Sequence, residues 1–258
     1  VVEVAHDDEL KVGDRVVVQP QDPCGRCYLC TQGDYIHCHT RRKIGQDSIP
    51  DGGRGRYAQY TVQQDWLLSP IPDELSYEHA GMAVCGLGPT FGAMEAMDVG
   101  GYDTVLVTGL GPVGLGGIIN AVWRGATVIG TASSAVKCKA ITRAGAKHAI
   151  DTSKKDVAKE VAKITKGQGV DVVFDPVGKD TYETSLACLK DRGLLASFGG
   201  ASGPVPDVNL NEFRYMARAW RLMRASLFNY TAGREDLLHS SKRVFAMIRS
   251  GKVKVKIN

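Results

Sequence analysis

The sequence lacks several features that would place it in other classes of protein. It has no apolar run of the length that a membrane-spanning helix needs, so we expect no membrane partner. It has no long block of Lys and Arg, and 32 basic against 28 acidic residues leave a net charge of only +4, so we expect no nucleic-acid partner. Residues 1–6 show neither the basic region nor the apolar stretch of a signal peptide, which favours a cytoplasmic location.

The seven cysteines are an odd number, and most of them crowd into one segment. Such crowding is more typical of a metal site in a reducing compartment than of a disulfide framework. The predicted ligands of one zinc ion are Cys24, Cys27, Cys30 and Cys38. Four thiolates leave no coordination position open, so the predicted site is structural and not catalytic.

Other interpretations of this four-cysteine lobe (residues 24–38) stay open. A redox-active CxxC pair and a set of free buried cysteines are both compatible with part of the pattern. His37 and His39 flank the last cysteine and could replace it as ligands, although histidines in such positions are more often on the surface.

A glycine-rich turn lies between a short apolar run and an apolar helical pattern. The run covers Thr104–Val107, the pattern GxGxxG follows at once, and the helical pattern continues to Trp123. In this context such a turn binds a dinucleotide, with the pyrophosphate at the helix N-terminus. A plain glycine loop is the alternative. The predicted cofactor contacts are Gly109, Leu110, Gly111, Pro112, Val113 and Gly114.

Strand and helix patterns alternate after this turn. Strands are predicted at 127–130, 148–150, 170–175 and 194–198, and helices at 135–144, 157–165 and 182–189. Repeated units of this kind predict an α/β fold with a Rossmann-type doubly wound parallel sheet. Because ligands bind beyond the carboxyl ends of the strands, Val177, Phe198 and Gly199 are predicted to lie near a nicotinamide ring.

The remaining segments give weaker predictions. Before the turn, strands are expected at 1–4, 15–19 and 57–62, a proline-containing connection at 69–75, and helices from Ser76 and over 89–97. Late in the chain, arginines recur at helical spacing, which indicates either a phosphate-facing patch or a solvated or subunit-facing surface. They are Arg214, Arg218, Arg221 and Arg224.

The order of the motifs resembles that of a known superfamily. These motifs are residues 11–16, the four-cysteine lobe, 53–60, 85–90 and the turn at 109–114. Together they resemble the zinc-containing alcohol dehydrogenases of the medium-chain dehydrogenase/reductase superfamily. From about residue 130 the chain is more similar to the NADPH quinone oxidoreductases, through residues 130–134, 178–181, 197–204 and 226–230.

The resemblance implies a domain organisation and an activity. It implies a partial GroES-like catalytic domain over 1–86, a Rossmann dinucleotide-binding domain over 87–229, and the start of a return to the first domain over 230–258. The implied reaction is hydride transfer between NAD(P) and an alcohol, aldehyde or ketone. A zinc-independent NADPH quinone or enone reductase and a nucleotide-binding protein without turnover are the alternatives.

Departures from the family concern its catalytic zinc. Cys85 matches one zinc ligand of these dehydrogenases, but their other cysteine and their His-Glu pair have no counterpart here. We therefore expect the chain to be a fragment truncated at both ends, in which a single cysteine cannot make a catalytic zinc site. A small buried hydrophobic residue is the alternative role for Cys85.

The predicted cofactor is NADP(H) in preference to NAD(H). NAD-specific sites place an acid at the end of the second strand, where it binds the ribose hydroxyls. Ala132 stands there instead, followed by Ser133, Ser134 and Lys137, which can donate hydrogen bonds or charge to a 2′-phosphate. The two serines could also simply cap the next helix. We further expect a homodimer or homotetramer acting on a small alcohol, aldehyde, ketone or quinone.

Overall fold

The computed structural model describes most of the chain. The residues described are 1–4, 9–19, 23–35, 37–38, 59–208, 218–224, 230, 233–251 and 253. Several sequence predictions fall outside them: His39, Arg214, most of the motif at 53–60 and all but the last residue of the motif at 226–230. None of the helices in the described ranges combines the length and apolarity that crossing a membrane requires.

A six-stranded parallel sheet forms the centre of the fold. Its strands are β3 (Thr104–Val107), β4 (Thr127–Ala132), β5 (His148–Asp151), β6 (Val170–Asp175), β7 (Leu189–Ser197) and β8 (Arg221–Met223). They lie in the order β5-β4-β3-β6-β7-β8. The chain therefore reverses its direction of travel between β3 and β6, and in such sheets ligands bind at this switch point.

Helices cover both faces of the sheet. The helices of the described ranges are α1 (Tyr28–Thr31), α2 (Tyr77–Gly81), α3 (Leu87–Ala96), α4 (Pro112–Trp123), α5 (Ala135–Arg143), α6 (Val157–Ile164), α7 (Tyr182–Cys188) and α8 (Arg234–Arg249). Of these, α3 to α7 contribute side chains to the two cores on the faces of the sheet. Side chains along β3 alternate between two cores: Val105 and Val107 pack with residues of α3, α4 and α5, whereas Leu106 packs with residues of α6 and α7. The doubly wound α/β sheet predicted from the sequence is confirmed.

A smaller region precedes the sheet in sequence. In it β1 (Val16–Val18) pairs antiparallel with β2 (Leu68–Pro70), and a 3₁₀ turn over Asp65–Leu67 leads into β2. Helix α8 returns to this region: the hydroxyls of Ser241 and Ser69 are 3.3 Å apart, and Arg234 donates to the carbonyl of Trp66 at 3.1 Å.

Predictions for this smaller region were partly wrong. Residues 1–4 form no strand: the Val1 amino group donates to the Asp14 carbonyl and the Val1 carbonyl accepts the Gly13 amide, but no ladder continues along the segment. Residues 59–62 are also not a strand. The start of the predicted connection at 69–75 belongs to β2, where Ser69 is buried and Pro70 ends the ladder at a position that a sheet edge tolerates.

The helical spacing of the late arginines was misleading as well. Residues 221–223 form β8, because they pair with Leu194–Ala196 of β7, and this tertiary pairing overrides the helical spacing. Arg218 and Arg224 flank the strand. Arg218 donates to the carbonyl of Leu189 in β7, and Arg224 donates to the carbonyl of Gly199 just after β7.

Candidate functional site

The glycine turn lies at the switch point between β3 and β6. Gly109 has a φ of +73°, which glycine adopts without strain, and it turns the chain directly after β3. Gly111 is the N-cap of α4, which has neither a side-chain cap nor an acidic residue in its first turn. A Cβ on Gly114 would lie 2.3 Å from the carbonyl oxygen of Gly109, so helix and turn approach as closely as a dinucleotide fold requires.

The turn leaves its ligand-facing part open. Gly111 and Pro112 are exposed, whereas Leu110 and Val113 are half-buried and pack against the core beneath. Unpaired amides at an uncapped helix start attract anions. The exposed side of this turn can therefore hold a phosphate group.

The other residues predicted to contact the cofactor meet this turn. A Cβ on Gly109 would lie 2.8 Å from a methyl carbon of Val177. The amides of Phe198 and Gly199 donate to the carbonyl of Asp175 at 2.8 and 3.2 Å, so they lie beside the same strand end. The structure thus brings together the segments predicted for the pyrophosphate and the nicotinamide.

Sequence reasoning gave no role to two polar residues at this edge. The Thr131 hydroxyl accepts the amide of Gly109 at 3.0 Å, which ties the turn to β4. Asp175 ends β6 with its side chain almost fully buried among hydroxyl and amide donors. A polar residue at the end of an otherwise apolar strand was the available signal.

The end of β4 leads into the residues predicted to bind a 2′-phosphate. Ser133 and Lys137 are exposed, and the Ser134 hydroxyl caps α5 by accepting the amide of Lys137 at 3.4 Å. Ser134 is therefore a helix cap, which was the alternative role considered for it. Its side chain still lies at the edge of the site.

One acid does lie near this edge, on the neighbouring strand. Asp151 pairs with Ala132 across β5 and β4, and its carboxylate accepts the hydroxyl and amide of Ser153 at 2.6 and 3.1 Å. These hydrogen bonds, the hydroxyl first, lower the pKa of Asp151. Asp151 ends β5, so the end of β4 itself carries Ala132 and no acid.

Cys85 lies next to the glycine turn, but no other candidate metal ligands accompany it among the described residues. It is exposed, which contradicts the alternative of a small buried hydrophobic residue. Its neighbour Gly86 packs on α4, since a Cβ on Gly116 would lie 2.2 Å from the Gly86 carbonyl oxygen. Among the described residues, no group of three or more His, Cys, Asp or Glu includes Cys85, so they do not complete a catalytic zinc site.

The four cysteines of the lobe do converge. The sulfur atoms of Cys24, Cys27, Cys30 and Cys38 all lie within 4.8 Å of one another. Three of the separations are 3.5, 3.9 and 3.9 Å. A tetrahedral zinc ion with bonds of about 2.3 Å requires sulfurs roughly 3.8 Å apart, so the donor set fits the ion.

Backbone amides and burial determine the environment of the sulfur atoms in the lobe. Backbone amides of Cys27 and Cys24 approach the sulfurs of Cys24 and Cys38, each at 3.3 Å. Burial, and next the hydrogen bond with Cys27, raises the pKa of the Cys30 thiol to about 12. A bound cation would therefore have to displace a proton there. His37 instead pairs with Asp34 at 2.7 Å on the surface.

Two protein families match this chain, one in its N-terminal part and one in its second half. The family described as "Zinc-binding dehydrogenase" matches residues 112–240, and the "Alcohol dehydrogenase GroES-like domain" matches residues 1–73. A quinone oxidoreductase of Pseudomonas aeruginosa is 35% identical over 222 residues, which are 85% of this chain and 68% of that protein.

Two solved structures show the same architecture. The quinone oxidoreductase of Escherichia coli complexed with NADPH aligns with a TM-score of 0.69 and 34% identity, over 75% of this chain and 60% of that one. An NAD-dependent alcohol dehydrogenase aligns with a TM-score of 0.78 and 27% identity, over 96% and 68%. The chain thus spans about two thirds of the length of these proteins.

The parallel sheet, the glycine turn at its switch point and the GroES-like region define an oxidoreductase-type nucleotide-binding protein. The chain belongs to the medium-chain dehydrogenase/reductase superfamily, and within it resembles the quinone oxidoreductases. This confirms the superfamily, the fold and the NAD(P)-dependent oxidoreductase class predicted from the sequence.

Proposed function

We propose that this chain binds NADP(H) at the switch point and belongs to a reductase of quinones or related conjugated carbonyl compounds. The observation that carries the proposal is the convergence of the turn at 109–114, Val177 and Phe198–Gly199 at one edge of the sheet. Similarity to quinone oxidoreductases, one of them solved with NADPH, supports the choice of substrate and cofactor.

The residues of the turn would divide the work of binding. Gly109 and Gly114 shape the turn, Gly111 and Pro112 leave room for the pyrophosphate, and the amides at the start of α4 face its charge. Leu110 and Val113 anchor the turn in the core. Ser133, Ser134 and Lys137 would hold the 2′-phosphate, and Val177, Phe198 and Gly199 would flank the nicotinamide.

When bound, NADPH supplies a hydride to an electron-poor carbon of the substrate. The chain itself would bind the cofactor, orient its nicotinamide ring and shield that ring from water. Val177 and Phe198 present apolar surface at the strand ends, which would hold one face of the ring and keep water away from it. Catalysis in this proposal comes from orientation, with no step assigned to an acid or base of the described residues.

A first prediction concerns the 2′-phosphate. Replacing Ser133, Ser134 and Lys137 with Ala should weaken NADPH binding about 10-fold or more, because charge-assisted hydrogen bonds to the phosphate are lost. NADH lacks that phosphate, so its dissociation constant should stay unchanged and serves as the internal control. Titration of both reduced cofactors by fluorescence measures the effect.

Lys139→Ala is the matched control on the same helix, since Lys139 is also exposed. It should leave both affinities unchanged. Equal or tighter binding of NADH than of NADPH by the unsubstituted chain would contradict the preference, and so would an unaltered NADPH affinity in the triple variant.

A zinc-dependent alcohol dehydrogenase is the second candidate. Exposure of Cys85 beside the nucleotide turn favours it, as does the likeness to an NAD-dependent alcohol dehydrogenase. Any further zinc ligands would have to lie outside the described residues, so we assign no step to a catalytic metal.

The second prediction concerns alcohol oxidation by the chain itself. The 258-residue chain should oxidise simple alcohols at no more than the background rate, because one thiolate binds zinc weakly. Spectrophotometric assay of NADP⁺ and NAD⁺ reduction with added zinc tests this. Robust oxidation that Cys85→Ala abolishes would instead support the alcohol dehydrogenase.

The remaining assignments are part of the same proposal. We propose that the four cysteines hold a structural zinc ion, and that the domains extend over 1–86, 87–229 and 230–258. Strand β8 is the edge of the sheet among the described residues, and Leu222 on it is exposed, which favours assembly of a homodimer or homotetramer along this edge. Light scattering would reveal a monomer if that is wrong. The cytoplasmic location stays a prediction.

A further inference from the structure

We propose that Asp175 is a positioning residue, which holds the pyrophosphate turn and the nicotinamide-side loops of the cofactor site in one fixed arrangement. The inference rests on the proposed binding of NADP(H) and adds a residue that was not among the predicted contacts. Asp175 is the last residue of β6 and is only 2% exposed. It would act through its neighbours, without touching the cofactor itself.

The carboxylate of Asp175 collects donors from three segments. One oxygen accepts the Thr108 hydroxyl at 2.7 Å and the amides of Val177 and Gly178 at 2.8 and 3.1 Å. The other accepts the Ser185 hydroxyl of α7 at 2.9 Å, and the Thr181 hydroxyl lies within 2.9 Å of both. A buried carboxylate is stable only with such a set of donors.

Two of these donors, Thr108 and Val177, adjoin or belong to the predicted cofactor contacts. Thr108 directly precedes Gly109, and its amide also bonds to the carbonyl of Phe174 in β6. Val177 is itself a predicted contact and packs against Gly109. One side chain therefore fixes the start of the pyrophosphate turn relative to the loop after β6.

The backbone of Asp175 extends the connection to β7. Its carbonyl accepts the amides of Phe198 and Gly199. A Cβ on Gly199 would lie 2.2 Å from the carbonyl oxygen of Pro176, so these loops are in close contact. Through its side chain and its carbonyl, Asp175 thus links the turn after β3 with the loops after β6 and β7.

A carboxylate suits this task better than an amide. Each of these contacts brings an N–H or O–H group to Asp175, and a carboxylate only accepts. An Asn side chain would turn two donors of its own toward part of that set, and would leave some groups unpaired in a buried site. Direct replacement of Asp175 would therefore disturb the fold, so the test acts on its partners.

Thr108→Val and Ser185→Ala form a matched pair. Both residues are buried, and each substitution removes one hydroxyl that donates to the same carboxylate. Only Thr108 connects it to the pyrophosphate turn, whereas Ser185 connects it to α7. We expect similar melting temperatures for the two variants, but a dissociation constant for NADPH raised about 5- to 10-fold in Thr108→Val alone.

Thr108→Ser restores the hydroxyl and should return the NADPH affinity to within about 2-fold of the unsubstituted chain. Equal loss of affinity in Thr108→Val and Ser185→Ala, or no recovery in Thr108→Ser, would overturn the positioning role alone. No binding of NADPH by the unsubstituted 258-residue chain would overturn the proposed function, and this inference with it.

Discussion

Cys30→Ser is expected to abolish binding of the proposed structural zinc ion and to lower the melting temperature by about 10 °C or more. Cys30 is 5% exposed, and its sulfur lies 3.5 and 3.9 Å from those of Cys27 and Cys24. A serine hydroxyl is a poor zinc ligand, so the ion would be lost, and with it the cross-link that its bonds to the sulfur atoms make within the lobe. Zinc content per chain and thermal unfolding measure the two effects.

The loss should spread from the lobe to the helix that packs on it. The ring of Tyr35 packs on Trp66 with centroids 4.3 Å apart, and Arg234 at the start of α8 donates to the carbonyl of Trp66. A Cβ on Gly233 would lie 2.9 Å from the carbonyl oxygen of Gly33, so α8 begins against the lobe. Loss of the lobe's structure would break these contacts.

Cys85→Ser is the matched control, because Cys85 is exposed and outside the lobe. It should keep the zinc content and the melting temperature. One zinc ion per chain retained in Cys30→Ser, or no zinc in the unsubstituted protein purified without chelator, would contradict the structural site.

The nucleotide domain could be predicted closely from the sequence because its signals are local. The strands over 104–107 and 170–175 have the predicted bounds, and the helix that begins at Pro112 ends at Trp123 as predicted. Each combines an apolar periodicity with glycine or proline at its boundary, so neighbouring residues suffice to define it.

Features that depend on distant contacts were missed. β8 exists because residues 221–223 pair with β7, and no periodicity within the segment reports that partner. The position of Asp175 at the end of a strand was predicted, but its role depends on Thr108, 67 residues earlier in the chain. The convergence of four cysteines lies between these cases, because zinc-ligand spacing is itself a local signal.

Gly111→Ala is expected to leave the fold intact and to weaken NADPH binding roughly 100-fold, which corresponds to about 2.7 kcal/mol. Gly111 has φ of −87° and ψ of −177°, an extended conformation that alanine adopts freely. An added Cβ would meet no protein atom within 4 Å. The added Cβ would therefore obstruct none of the described residues, but it would obstruct a ligand at the start of α4, where the pyrophosphate is proposed to approach the backbone.

Two other glycines make this prediction specific. Gly100→Ala also adds a Cβ with no atom within 4 Å, but at the opposite end of β3, so neither stability nor affinity should change. Gly114→Ala forces a Cβ to 2.3 Å from the Gly109 carbonyl oxygen and should lower the melting temperature. NADH shares the pyrophosphate, so Gly111→Ala should weaken both cofactors alike, unlike the serine and lysine variant. Normal NADPH affinity in a folded Gly111→Ala protein would place the pyrophosphate elsewhere.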